Sequence, residues 1–162
     1  MPAMQYMENI PFDELNVGDR ASTERNLVEK DLTLFAAVSG DLNPIHLDED
    51  YASKTPFKQR IAHGSWSASL ISATLATVMP GPGTVYLSQT LKFLRPAHLG
   101  DRLKIVVEVI AKNEKNKRVT LACLVTNQRG KKLVEGEAEV LAPTQKIKLK
   151  QPQLPEIHFS QL

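Results

Sequence analysis

The chain has a single cysteine, Cys123, so it cannot form an internal disulfide. That usage fits a reducing compartment, and the expected location is the cytoplasm. No apolar run approaches the roughly 20 residues that a membrane-spanning helix needs. The N-terminus lacks a basic stretch followed by an apolar one, so no secretory leader is expected. Net charge is only +2, with lysines scattered over hairpin tips and the tail. Nucleic acid is therefore not an expected partner, although such a surface tolerates an anionic ligand. No Gly-rich loop opens a helix after a strand: Gly81-Pro82-Gly83 lies in the reverse order, between a helix and a strand, so no nucleotide cofactor is expected. Asp41, His46 and His63 can be drawn as three metal ligands, but their spacing matches no zinc pattern and no metal is expected. At 162 residues the chain is long enough for one domain with a sizeable core.

The most informative stretch is Phe35 to His46, F-A-A-V-S-G-D-L-N-P-I-H. Asp41 and His46 stand five apart, whereas neighbours on one helix face stand three or four apart. Gly40 is a natural helix stop, and Pro44 pushes Asn43 toward extended geometry. The backbone is thus expected to leave a helix at Gly40 and bend, swinging the Asp41 carboxylate and the His46 imidazole toward one point. A carboxylate and an imidazole that converge can hold a water and move protons near neutral pH.

Around this stretch, Met1 to Met4 are expected to fray, and Val17-Gly18-Asp19 to turn into a strand. Glu29 to Ser39 reads as a helix with Leu32, Phe35, Ala36 and Ser39 on one face. A helical turn is expected near Asp48 to Ala52. Gly64 to Met79 contains no charged residue and ends at Pro80-Gly81. A helix with no polar face should be buried all round. Thr84 to Leu94, Asp101 to Ala111, Lys117 to Asn127 and Lys131 to Leu141 alternate apolar and polar residues, predicting four strands joined by turns. Lys146 to Leu162 is lysine- and proline-rich without a period, which divides the chain into a domain over 1–145 and a tail or linker over 146–162.

The run S-G-D-x-N-P-x-H, then I-A-H-G-S, then P-G-P-G-T-V-Y-L-S-Q-T-L-K-F-L-R-P and G-E-A-E-V resembles the MaoC-like dehydratases, specifically the (R)-specific enoyl-CoA hydratases. The resemblance covers roughly residues 12–143. It implies the α+β hot-dog fold, an antiparallel sheet wrapped around a long central helix, which is also what a charge-free helix followed by an antiparallel meander suggests. It implies reversible addition of water to a trans-2-enoyl-CoA, giving the (R)-3-hydroxyacyl-CoA, with Asp41 and His46 sharing the catalytic water. No cofactor is implied beyond the coenzyme A thioester that carries the substrate. Similar domains stand at the front of longer acyltransferase fusions, so fusion to or partnership with an acyltransferase is a further implication.

Each residue also has a plainer reading. Asp41 can cap backbone N–H groups after Gly40, and His46 can be a half-buried histidine tied to a carbonyl. Asn43 reads as a turn former that supports the loop. Gly64 opens the charge-free helix, where the first N–H groups lack partners and the dipole is positive; a thioester carbonyl docked there would have its developing enolate oxygen stabilised. The family glycine at this place carries that role. Ser72 matches a family serine beside the active pocket, or else bonds back to its own helix. Leu75 is core or the floor of the acyl pocket. His63 is expected to order the turn.

An unpartnered sheet edge is expected to be completed by a second copy, making a homodimer or higher oligomer with the active tunnel near the interface. Two rival readings are a hot-dog thioesterase, in which Asp41 activates water against the carbonyl, and a non-catalytic acyl-CoA-binding domain. The paired Asp41 and His46 favour neither.

Overall fold

The structure is a computed structural model that describes residues 5–160. The expectation of fraying for Met1 to Met4 lies outside the described residues. β1 (Tyr6–Glu8) leads through a single 3-10 turn to β2 (Arg20–Asn26). α1 (Glu29–Ser39), α2 (Pro44–Leu47), α3 (Glu49–Ser53) and α4 (Gly64–Thr77) follow. Then come β3 (Val85–Phe93), β4 (Arg102–Asn113), β5 (Arg118–Thr126), β6 (Lys132–Leu141) and β7 (Lys148–Lys150).

Strands β2 to β6 form one antiparallel sheet in the order β2-β4-β5-β6-β3. Its inner face follows from period-two alternation. Leu103, Ile105, Val107 and Val109 on β4 and Val119, Leu121, Cys123 and Val125 on β5 are buried against α4. From the helix, Trp66, Ile71 and Leu75 meet them. A bond between the Thr23 and Thr74 hydroxyls (2.7 Å) ties β2 to the helix with its polar groups satisfied. This is the antiparallel sheet around a central helix that the sequence predicts.

One expectation is corrected. α4 is not buried all round in the single chain: Ser65, Ser69, Ser72, Ala73 and Ala76 stay exposed along one face. Small residues without charge make a face suited to close packing, and absence of charge does not by itself enclose a helix. The tail is also more ordered than its composition suggests. Lys148 to Lys150 pair antiparallel with Tyr6 to Glu8. Buried Asn9 pins this junction, donating to the Pro82 and Gln145 carbonyls (3.1 and 2.9 Å) and accepting from the Ile147 N–H (2.8 Å). Farther on, the Lys30 ammonium donates to the Ile157 carbonyl (2.7 Å), so the last segment reaches back to the start of α1.

Gly136, in the middle of β6, has a steric cause. A Cβ there would stand 1.9 Å from the Thr90 carbonyl oxygen and 3.0 Å from the Leu91 Cα, both backbone of β3. No rotamer relieves that clash. Gly136→Ala is expected to prise β3 from β6 and lower stability by about 3 kcal/mol or more, at the top of the usual overpacking range. Thermal unfolding should fall by roughly 6–12 °C.

Candidate active site

Helix α1 ends as its sequence directs. Gly40 adopts the left-handed conformation (φ 76°) and its N–H donates to the Ala36 carbonyl (2.9 Å). The chain then folds on its own side chains. The Asn43 N–H donates to Asp41 Oδ1 (3.1 Å), and the Asn43 Oδ1 accepts from the Ile45 N–H (3.2 Å). Asn43 is thus the N-cap of α2 and Pro44 its first residue, where a missing N–H costs nothing. The bend after Gly40 is therefore a cap followed by one helical turn, and His46 rides on that turn. The cap uses one carboxylate oxygen of Asp41, Oδ1, and Oδ2 makes no hydrogen bond among the described residues.

Asp41 Oδ2 lies 3.9 Å from His46 Nε2. That gap is too long for a direct hydrogen bond, but a water at the ordinary ~2.8 Å from each would subtend roughly 90°. On its other side the His46 ring donates from Nδ1 to the Ile61 carbonyl (2.7 Å), which leaves Nε2 with a lone pair toward Asp41. His46 is buried and Asp41 half exposed. Burial is the main cause that holds the His46 pKa below the ordinary histidine value; nearby His63 adds to it, while the Ile61 carbonyl and Asp41 oppose it. A neutral imidazole able to accept a proton follows.

Gly64 is the first residue of α4, so its N–H has no partner inside the helix. A Cβ at Gly64 would meet the Phe93 ring at 3.3 Å, so the glycine leaves the helix start approachable beside that ring. Ser72 and Leu75 stand eight and eleven residues further on, about 12 and 16 Å along the axis. Ser72 is on the exposed face and Leu75 is wholly buried in the core. The structure brings Asp41 and His46 together, supports them with Asn43, and sets Ser72 and Leu75 apart from them down the helix.

The sequence reading understated two residues. His63 is 1 % exposed, its ring stacked on His46 at 3.8 Å between centroids. Arg60 grips Glu29 of α1 with two bonds (2.6 and 2.8 Å) and Glu49 of α3 (3.1 Å). It thereby fastens the segment that presents the Ile61 carbonyl, His63 and Gly64, and it holds the Glu29 carboxyl below the usual range. The alternating charges of Glu29, Glu49 and Arg60 were a signal, but nothing local says that they meet. Asp41, His46 and His63 also offer ligand atoms within 4.8 Å of one another. Stacked rings, however, send their in-plane lone pairs side by side and not at one point, which suits a metal poorly.

A hot-dog scaffold carrying a carboxylate and an imidazole around a water-sized gap at the start of its central helix defines a class of hydro-lyase. The MaoC like domain family matches residues 15–129, and the chain belongs to that family. It is 45% identical to the (R)-specific enoyl-CoA hydratase of Rhodospirillum rubrum over 132 residues, 82% of this chain and 91% of that one. It is 45% identical to the 3-hydroxybutyryl-CoA dehydratase of Methylorubrum extorquens over 133 residues, 82% and 83% of the two chains. The unliganded R-hydratase PhaJ1 from Pseudomonas aeruginosa superposes with a TM-score of 0.92 at 54% identity, covering 96% of this chain and all of that one.

Proposed function

We infer that this chain is an (R)-specific enoyl-CoA hydratase, adding water reversibly to trans-2-enoyl-CoA. The observation that carries the reading is the 3.9 Å gap between Asp41 Oδ2 and His46 Nε2, within a fold whose relatives bear hydratase and dehydratase names. The Asp41–His46 pair takes a proton from the bridging water as its oxygen bonds to C3. The pair then returns a proton to C2 on the same face, and the two groups titrate as a unit. Electrons pushed from the C2–C3 double bond gather on the thioester oxygen, where the Gly64 N–H and the helix dipole stabilise them. Water and thioester supply every atom, so the reaction needs no cofactor beyond the coenzyme A carrier.

The acyl chain runs along α4 past Ser72 toward Leu75. The enzyme works as a homodimer in the cytoplasm. Strands β2 and β3 are the two edges of the sheet; β3 carries the exposed Val85, Leu87 and Phe93, and exposed Leu94 follows it. A second β3 paired edge to edge would satisfy its backbone and cover these side chains with the small-residue face of α4. No helix among the described residues is long and apolar enough to cross a membrane.

Loss of the enoyl thioester absorbance with crotonyl-, hexenoyl- and octenoyl-CoA, and formation of the (R) product, test the activity. Release of free thiol in its place would transfer the site to the thioesterase reading. Leu75→Ala extends the test to the acyl end. It should raise the ratio of octenoyl- to crotonyl-CoA efficiency while costing about 2–5 kcal/mol of stability. An unchanged ratio in a destabilised protein returns Leu75 to the core.

A further inference from the structure

We propose that His63 is a positioning residue that holds the catalytic imidazole and the catalytic carboxylate in register through two different parts of one ring. The inference rests on the hydratase reading of Asp41 and His46.

The ring touches both partners at once. Its face lies on His46, centroids 3.8 Å apart and planes inclined by 26°. Its edge donates from Nε2 to the Asp41 backbone carbonyl (3.1 Å). Phe35 of α1 closes the other side, 5.0 Å from ring to ring. His46 is thus fixed from its Nδ1 edge by the Ile61 carbonyl and from its face by His63, both supplied by the same short segment before α4. The Asp41 backbone lies in a loop with no sheet or helix ladder to hold it, and the His63 N–H supplies a long-range tie.

Plain packing does not account for this histidine. Nδ1 of His63 is buried with no hydrogen-bond partner among the described residues. Since Nε2 must carry the proton to serve the Asp41 carbonyl, Nδ1 keeps an unused lone pair. A buried polar atom without a partner works against stability, and an apolar ring would avoid it. What an apolar ring cannot do is stack on His46 and donate to Asp41 together.

The charged and titratable groups facing the His46 ring are Asp41 from the loop after α1 and His63 from the start of α4. Taking away the His63 ring opens the buried face of His46 to water, and relief of that burial raises the His46 pKa toward its ordinary value. A residue that did not cover the His46 face would leave that value alone.

Two variants divide the roles. His63→Gln keeps a donor able to reach the Asp41 carbonyl and removes the ring. His63→Phe keeps a ring in the stack and removes the donor. Each is expected to lower kcat by about 10²-fold with KM changed much less, since misplacing catalytic groups by about 1 Å costs that much. In His63→Gln the His46 titration, followed by NMR, should move to higher pH, and the acid limb of kcat should move with it. Circular dichroism checks the fold; should the glutamine variant unfold, the phenylalanine variant, which keeps a flat ring in the stack, carries the kinetic test. Folded variants within about threefold of the parent kcat would overturn the proposal. So would a His46 titration that stays put or moves down in the glutamine variant. The NMR titration needs no turnover, so its result is separate from any failure of enoyl thioester hydration itself.

Discussion

Replacing His46 with glutamine, or Asp41 with asparagine, is expected to lower the hydration rate by roughly 10²- to 10⁴-fold while the protein stays folded. Each change keeps side-chain volume close and removes the ability to move a proton. In His46→Gln the amide can still meet the Ile61 carbonyl, now 2.7 Å from Nδ1. In Asp41→Asn the amide oxygen can still accept the Asn43 N–H, as Oδ1 does at 3.1 Å. The scaffold bonds survive and the chemistry does not. Because both side chains serve one water, the double variant should be little slower than either single, as for other groups that act as a unit. Steady-state rates on crotonyl-CoA, with melting curves on the same preparations, decide it. A single variant that keeps more than about half of the parent activity removes that residue from the mechanism.

The pH profile carries the same signature. Burial holds the His46 pKa below its ordinary value of 6.5, so the neutral imidazole persists to lower pH than free histidine would allow. Activity should therefore fall on acidification only below that value. In the Asp41→Asn protein the stabilising charge is gone, and what remains of the acid limb should move lower still.

How the site is assembled explains what could be read from the sequence. Alternation on β4, β5 and β6 is a local signal because a strand turns the same face to the core along its length, and those strands fall within a residue or two of their expected ends. The Gly40 stop and the Asn43-Pro44 cap are local as well, since each rests on the geometry of neighbouring residues. Asp41 and His46 could be paired in advance because five residues and one proline settle most of the path between them.

The remainder depends on long-range meetings. Asn9 finds its partners at Pro82, Gln145 and Ile147, more than 70 residues away, and only there does the N-terminal segment acquire a strand mate. Arg60 meets Glu29 across 31 residues, and His63 meets Asp41 across 22. No periodicity encodes such pairs. The exposed stripe on α4 fails for a further reason: composition tells that a helix has no face made for water, but not which molecule covers it.

Gly64→Pro should cost turnover about 10²- to 10³-fold, the usual effect of removing one oxyanion donor, while Gly64→Ala costs far less. The backbone is ready for proline. His63, the residue before it, has ψ 135°, within the range that a following proline demands, and position 64 is the first of the helix. Proline is therefore compatible with the helix, and what it deletes is the N–H. Alanine keeps the N–H but brings a Cβ against the Phe93 ring, 3.3 and 3.4 Å from its nearest atoms. That ring is 56% exposed in the single chain and can swing, so the steric cost is small there, and the alanine variant controls for it. The loss in the proline variant should fall on kcat more than on KM, because the carbonyl oxygen carries full negative charge only as the enolate forms. A folded proline variant that hydrates crotonyl-CoA at the parent rate would move the donor elsewhere. The next N–H along the helix start, that of Ser65, then becomes the first to examine, since it too lacks a partner within the helix.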